Sequence, residues 1–162
     1  MDQNIATATA YAKALHDRAE MALDSDRSLA HTAASFLTLR WFYNKVKAGG
    51  DWDYKRGYEG DTTGHGLAEA YGNFNFGATA AALGIPYYIG QNGAGLAQID
   101  DNLTLGKVLR MVKSLFGVDM PEDSTFAGIP FLKWPFGDQR EDAEQIMDGY
   151  AFYESLKAGT CK

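Results

Sequence analysis

Apolar side chains recur at three- and four-residue intervals from residue 3 to 24. Ala8, Tyr11, Ala12, Leu15, Ala19, Ala22 and Leu23 fall on one stripe, which predicts an amphipathic helix with Asp2 at its cap. A second stripe of Leu29, Ala33, Phe36, Leu37, Arg40, Trp41 and Val46 predicts a helix from Ser28 to Lys47, capped by Asp26 or Ser28. Lys45 and Lys47 suit the negative end of its dipole, and Gly49-Gly50 stops it. Gly77–Leu83 reads as a short helix ended by Gly84 and Pro86, and Gly90 and Gly93 interrupt a helical pattern over 86–100. Asn102 starts a helix running to Phe116, and prolines at 121, 130 and 135 mark a loop over Gly117–Gly137. Asp138 with Glu141 forms a capping box for a last helix to Lys157, with Ile146, Tyr150 and Tyr153 on its inner face. The expectation is one mainly α-helical domain over residues 1–162, with small β-turn or hairpin elements near Trp52 and Asn73.

Between these helices lie two stretches of different character. From Gly49 to Gly66 there are six glycines, few aliphatics and the residues Trp52, Asp53, Tyr54, Lys55, Tyr58, Glu59, Asp61 and His65. A long loop of this kind inside one domain points to function, and its aromatics argue against disorder. The stretch Glu69-Ala70-Tyr71-Gly72-Asn73-Phe74-Asn75-Phe76-Gly77-Ala78-Thr79 then holds one carboxylate, two carboxamides, three aromatics and two glycines. Read as extended chain, it places Asn73 and Asn75 on one side and Phe74 and Phe76 on the other. That predicts a rigid turn anchored by rings against the helix of Phe36 and Trp41, offering amides to a cleft.

Composition narrows the function classes. The 162 residues are 46% hydrophobic and 22% charged, as in ordinary globular domains. A net charge of −6 disfavours broad nucleic-acid binding, which needs phosphate-contacting Lys and Arg. The single cysteine, Cys161, allows no intrachain disulfide. Met1-Asp2-Gln3-Asn4 lacks the basic start and apolar run of a signal peptide, so synthesis in the cytoplasm is expected. No run approaches the roughly 18 apolar residues of a membrane span.

Several blocks resemble the polymorphic toxin type 44 domain: Trp41-Phe42-Tyr43-Asn44-Lys45-Val46-Lys47, Gly50-Asp51-Trp52-Asp53-Tyr54-Lys55 and Gly72-Asn73-Phe74-Asn75-Phe76-Gly77-Ala78-Thr79. Ala94-Gly95-Leu96-Ala97-Gln98 and the Pro135-Phe136-Gly137-Asp138 helix start are similar to the family as well. The likeness runs in order from Trp41 to Tyr153, which sets a helical part (1–40) before a family-like core (41–157). The resemblance implies an antibacterial effector carried into a rival cell by a secretion apparatus, with or without a chaperone, and neutralised at home by a cognate immunity protein. The family usually carries Tyr-Glu-Asp-Phe before its Gly-Asn pair. Here Glu69-Ala70-Tyr71 stands there, while Tyr58-Glu59 matches if an insertion separates Gly60 from Ala68. Glu69 and Glu59 therefore both stand for the family glutamate.

The residues offer two enzymatic readings. Glu69 beside Ala68, Tyr71 and Phe74 is placed as a general acid, because apolar surroundings raise a carboxyl's pKa. Asp53, Asp61 or Glu59 then supplies the second carboxylate of glycan hydrolysis. In that reading Trp52, Tyr54, Tyr58 and Tyr71 form sugar-stacking walls, and Lys55, Asn73, Asn75 and Gln98 hold the substrate. Glu69 followed by Gly95-Leu96-Ala97-Gln98 is also similar to lysozyme-like lytic transglycosylases, with a glutamate at a helix end before a Gly-Leu-Met-Gln strand. The net charge of −6 and the scarcity of Lys and Arg outside residues 40–56 favour peptidoglycan as the substrate and the target cell's periplasm as the place of action. The alternative is a metal-independent ribonuclease acting in the target cytoplasm, with His65 and a glutamate beside Lys55 and Arg56. A non-enzymatic interaction domain is the third reading. His16 and His31 read as ordinary surface histidines, and the spacing of Asp51, Asp53, Asp61 and His65 matches no metal motif. No metal and no cofactor are expected.

Overall fold

The computed structural model describes residues 2–54, 56, 62–99 and 139–159, with the backbone alone at 62, 63 and 95–99. Among these the chain forms five helices and no strand: α1 (Asp2–Glu20), α2 (Arg27–Val46), α3 (Thr62–Ala82), α4 (Tyr87–Ile99) and α5 (Arg140–Lys157). They build a single helical domain. None is long and apolar enough to cross a membrane.

The central stretch is not a turn. Glu69–Thr79 lies wholly inside α3, as does His65, and the short helix expected at Gly77–Leu83 is the end of α3, which stops at Ala82. The physical reason is packing. Read with a period of 3.6, Asn73 and Gly77 fall on the row that meets α5, and Asn75 and Thr79 on a buried row on the opposite side, where Asn75 meets Asn4 of α1. Gly77 and Gly149 let the two backbones touch: a Cβ built on Gly77 would collide with the carbonyl oxygen of Ile146, and one on Gly149 with that of Phe74. Around that crossing, Phe74 packs on Phe152 of α5 and Phe76 on Phe42 of α2, with ring centroids 5.5 and 4.9 Å apart. Phe76 thus anchors on Phe42 rather than on Phe36, which is 39% exposed.

Helix ends follow the expected chemistry in part. At the end of α3, Gly84 is left-handed (φ 73°). Its N–H donates to Ala81 at 2.9 Å, and the Ile85 N–H donates to Ala80 at 3.0 Å. This pair of bonds is the Schellman arrangement. Gly49, also left-handed (φ 74°), follows the end of α2, where the Lys47 N–H donates to the Tyr43 carbonyl. Asp26 precedes α2 without a side-chain cap bond. The last helix starts at Arg140 behind Gln139, and Asp138 of the expected capping box lies outside the described residues. So do the expected helix 102–116 and loop 117–137. α4 runs unbroken through Gly90 and Gly93. At Gly90 the missing side chain makes room for the Tyr150 hydroxyl.

The α1 stripe buries Ile5, Ala8, Leu15 and Ala19, while Leu23 stays exposed beyond the helix end. In α2 the inward arc differs from the expected one. Thr38 and Phe42 are buried, whereas Leu29 and Leu37 are exposed, because α2 turns Tyr11-facing Trp41 and Phe42 toward its neighbours. Trp41 stacks on Tyr11 (4.3 Å, 12°) and meets the edge of Trp52 (5.4 Å, 88°), with the Lys45 ammonium above both indoles.

The backbone contact at Gly77 and Gly149 makes a specific demand. Gly77→Ala or Gly149→Ala should each lower unfolding free energy at or above the upper end of the roughly 1–3 kcal/mol usual for overpacking. Gly66→Ala, in open space on α3, should raise it by about 0.5–1 kcal/mol. Urea melts of the three variants check this, and equal effects at positions 66 and 77 would refute the close contact.

Tyr150 makes a second demand. Burial, with the Tyr87 phenol beside it, pushes its ionisation well above the ordinary tyrosine value of 10.0. Its hydroxyl donates to the Ile85 carbonyl at 3.1 Å. A raised folded-state pKa leaves stability intact below pH 10, where both states are protonated. Above pH 10 the unfolded state ionises first, so stability falls by up to about 1.4 kcal/mol per pH unit. Denaturant melts between pH 9 and 11 (about one unit either side of the free phenol's value) should show that slope, and Tyr150→Phe should flatten it.

Candidate functional site

The face of α3 that binds α5 is polar in its first half and small in its second. His65, Glu69, Asn73 and Gly77 succeed one another at four-residue spacing, so they share one stripe. His65 Nδ1 stands 3.9 Å from Glu69 Oε2, with the two side chains 38% and 31% exposed. One turn on, Asn73 Nδ2 donates to Asp142 Oδ1 at 2.8 Å and to Gln145 Oε1 at 3.0 Å, both on α5. Asp142 is buried, on the stripe that continues into Ile146. Two carboxyl groups therefore flank one amide: Glu69 a helical turn before it and partly in solvent, Asp142 hydrogen-bonded to it and enclosed.

On the opposite side of α3 from this stripe, and so apart from Glu69, Tyr71 meets Tyr54 edge to face at 4.7 Å (85°). Tyr54 lies over Gly72, where even an added Cβ would be in ordinary contact with it at 3.7 Å. Asn4 of α1 closes this corner, its Nδ2 reaching the Tyr54 hydroxyl at 2.5 Å and Asn75 Oδ1 at 3.1 Å. Burial, above all, and the neighbouring Tyr71 phenol raise the Tyr54 pKa, while the Asn4 hydrogen bond opposes them.

The other expected site residues separate into three groups. Trp52 is buried against Trp41 and belongs to the core rather than to a stacking wall. Asp53 accepts the Gly49 N–H at 2.8 Å and closes the turn after α2. Asn75 faces no cleft: it is 1% exposed, and its Nδ2 has no hydrogen-bond partner among the described residues. Lys55, Tyr58, Glu59 and Asp61 lie outside the described residues, as does the side chain of Gln98. The backbone of Gly95–Gln98 is helical, not the strand of the lytic-transglycosylase comparison. His65 is helical too, not in a loop.

Asp142 and Gln145 were missed by sequence reasoning. The available signal was a carboxylate four residues before the core position Ile146, which an outward-facing helix surface would not require. Gln91 was missed likewise: fully buried, it ties α4 to α5 through Nε2 donating to the Ala143 carbonyl at 2.8 Å, and its Oε1 has no hydrogen-bond partner among the described residues. A cavity of about 560 Å³ opens elsewhere, between α1, α2 and the α3–α4 junction, and none of the expected site residues lines it.

Asn73 thus holds two helices together through its amide. Asn73→Ala should cost about 1–3 kcal/mol of stability by stripping a hydrogen bond from a buried carboxylate. Asn73→Asp should cost at least as much, because it sets a second carboxylate against Asp142; thermal melts with unchanged midpoints would contradict both. Comparison with protein-family models, with curated proteins and with solved structures gives no match to this chain.

Proposed function

We propose that this chain is an antibacterial effector domain that hydrolyses bacterial cell-wall glycan, with Glu69 as the general acid. The observation that carries this reading is the pair of carboxyl groups around Asn73. Glycoside hydrolysis requires one carboxyl able to give a proton to the leaving oxygen and a second to act as base or nucleophile, roughly 5–9.5 Å away. Glu69 precedes Asn73 by one helical turn, and the Asn73 amide donates to Asp142 at 2.8 Å across the helix pair. Asp142 therefore takes the part expected of Asp53, Asp61 or Glu59. Glu69, the more exposed of the two, meets the substrate first, whereas Tyr71, two residues on, faces the opposite side of α3 and lies away from the pair. The toxin context comes from the type 44 resemblance, and with it delivery by a secretion apparatus, a cognate immunity protein and action in the target's periplasm.

The ribonuclease reading retains one specific observation, the His65–Glu69 pair on consecutive turns. A base to take the 2′-hydroxyl proton and an acid for the leaving oxygen are what RNA cleavage needs. The net charge of −6 weighs against it.

Expression in a bacterium, once retained in the cytoplasm and once exported, separates the two. Growth arrest only on export, with soluble fragments released from purified sacculi, is the expected result. Glu69→Gln and Asp142→Asn should each slow release by about 100-fold or more, the usual scale of lost acid–base catalysis. His65→Ala should leave release within about twofold, since it supplies no carboxyl to the pair. Cytoplasmic arrest with RNA degradation abolished by His65→Ala would replace the glycan reading with the ribonuclease one. Harmlessness in both compartments would end the toxin reading.

A further inference from the structure

At the far end of α1 from Asn4, two histidines and a carboxylate converge from adjacent helices. His16 and Glu20 are one turn apart on α1, and His31 comes from the first turns of α2 across the intervening bend. Both imidazoles present Nε2 to the same oxygen, Glu20 Oε1, His31 at 3.0 Å and His16 at 3.7 Å. The two rings stand 5.4 Å apart. One ligand atom from each of the three residues lies within 4.8 Å of the others.

We propose that His16, Glu20 and His31 form a three-ligand site for a zinc-class divalent ion. Bonds of about 2.1 Å in tetrahedral geometry place donors roughly 3.4 Å from one another. Two of the three separations already bracket that value, and the third needs only side-chain adjustment at residues that are 37–64% exposed. Two imidazoles and one carboxylate suit zinc and its transition-metal neighbours, whereas magnesium and calcium want oxygen donors throughout. Spacing of four residues puts His16 and Glu20 on one face of α1, so the helix preorganises two ligands and the α1–α2 packing brings the third.

The fourth position gives the site its character. His16 and His31 also line the cavity of about 560 Å³, whose lining includes the apolar Leu15, Leu39, Leu83 and Ile85. Three protein ligands beside an open cavity describe a site that keeps a position for water or for a donor atom of a bound molecule, unlike a closed structural site. The molecule that fits is small and largely apolar, with one metal-binding head. This site is separate from Glu69 and Asp142 and does not depend on the glycan reading.

The test uses the full chain without a histidine tag. Competition with a chromogenic chelator at neutral pH should show one equivalent of Zn²⁺ bound. Co²⁺ should give the intense visible bands of four-coordination, and excess Mg²⁺ should not compete. His16→Ala, Glu20→Gln and His31→Ala should each weaken Zn²⁺ binding by about tenfold or more while helical circular dichroism is kept. Zn²⁺ binding lost instead in His65→Ala or Cys161→Ser would overturn the assignment. So would a folded protein that binds no Zn²⁺, or binding unaffected by all three ligand variants.

Discussion

The contact between the backbones of α3 and α5 at Gly77 and Gly149 governs the rest of the structure. Each glycine sits where a methyl group would run into a carbonyl oxygen of the other helix. Such proximity leaves no room for intervening side chains, so the larger groups gather on either side of the crossing. Phe74 and Phe152 fill one side, while Ala78, Ala80 and Ile146 complete the buried centre. Tyr150, one residue beyond Gly149, then reaches α4, filling the space at Gly90 and holding the Ile85 carbonyl.

The same crossing determines what the polar half of α3 can do. Once Gly77 is pressed against Ile146, the residues one and two turns earlier are carried past the N-terminal turns of α5. Asn73 lands on Asp142 and Gln145, and Glu69 is left at the edge with His65 behind it. An amide that bridges a buried carboxylate and lies next to a half-exposed one is costly to bury unless its bonds are made. Here they are made across the helix pair, so the polar cluster and the apolar crossing stabilise each other. The proposed chemistry uses the solvent end of this cluster.

The α1–α2 hairpin is a second, looser unit. Its aromatic stack of Tyr11, Trp41 and Trp52 ties it to the turn after α2, and Asn4 ties it to Tyr54 and Asn75. Toward its other end the hairpin parts from the α3–α4 junction and leaves the cavity beside His16 and His31. Small residues such as Ala12, Ala34 and Gly84 line that space, which is why packing does not close it.

Helical periodicity in the sequence was enough for the class of fold, for α1, α2 and α5 and for the stop at Gly84, because those signals are local: repeating apolar positions and a residue able to take positive φ. The alternation Asn73-Phe74-Asn75-Phe76 misled for the opposite reason. A period of two and a period of 3.6 cannot be told apart over four residues, and the decision fell to partners far along the chain, Phe42, Ile146 and Phe152. Glu69 and Tyr71 could be named from sequence, but Asp142 and the His16–Glu20–His31 convergence could not. These groupings join residues about 70 and 10–15 positions apart, and only the packing of one helix against another sets their distances. Residue chemistry therefore determined which side chains were capable of a function, and the packing of α3 on α5 and of α1 on α2 decided which of them meet.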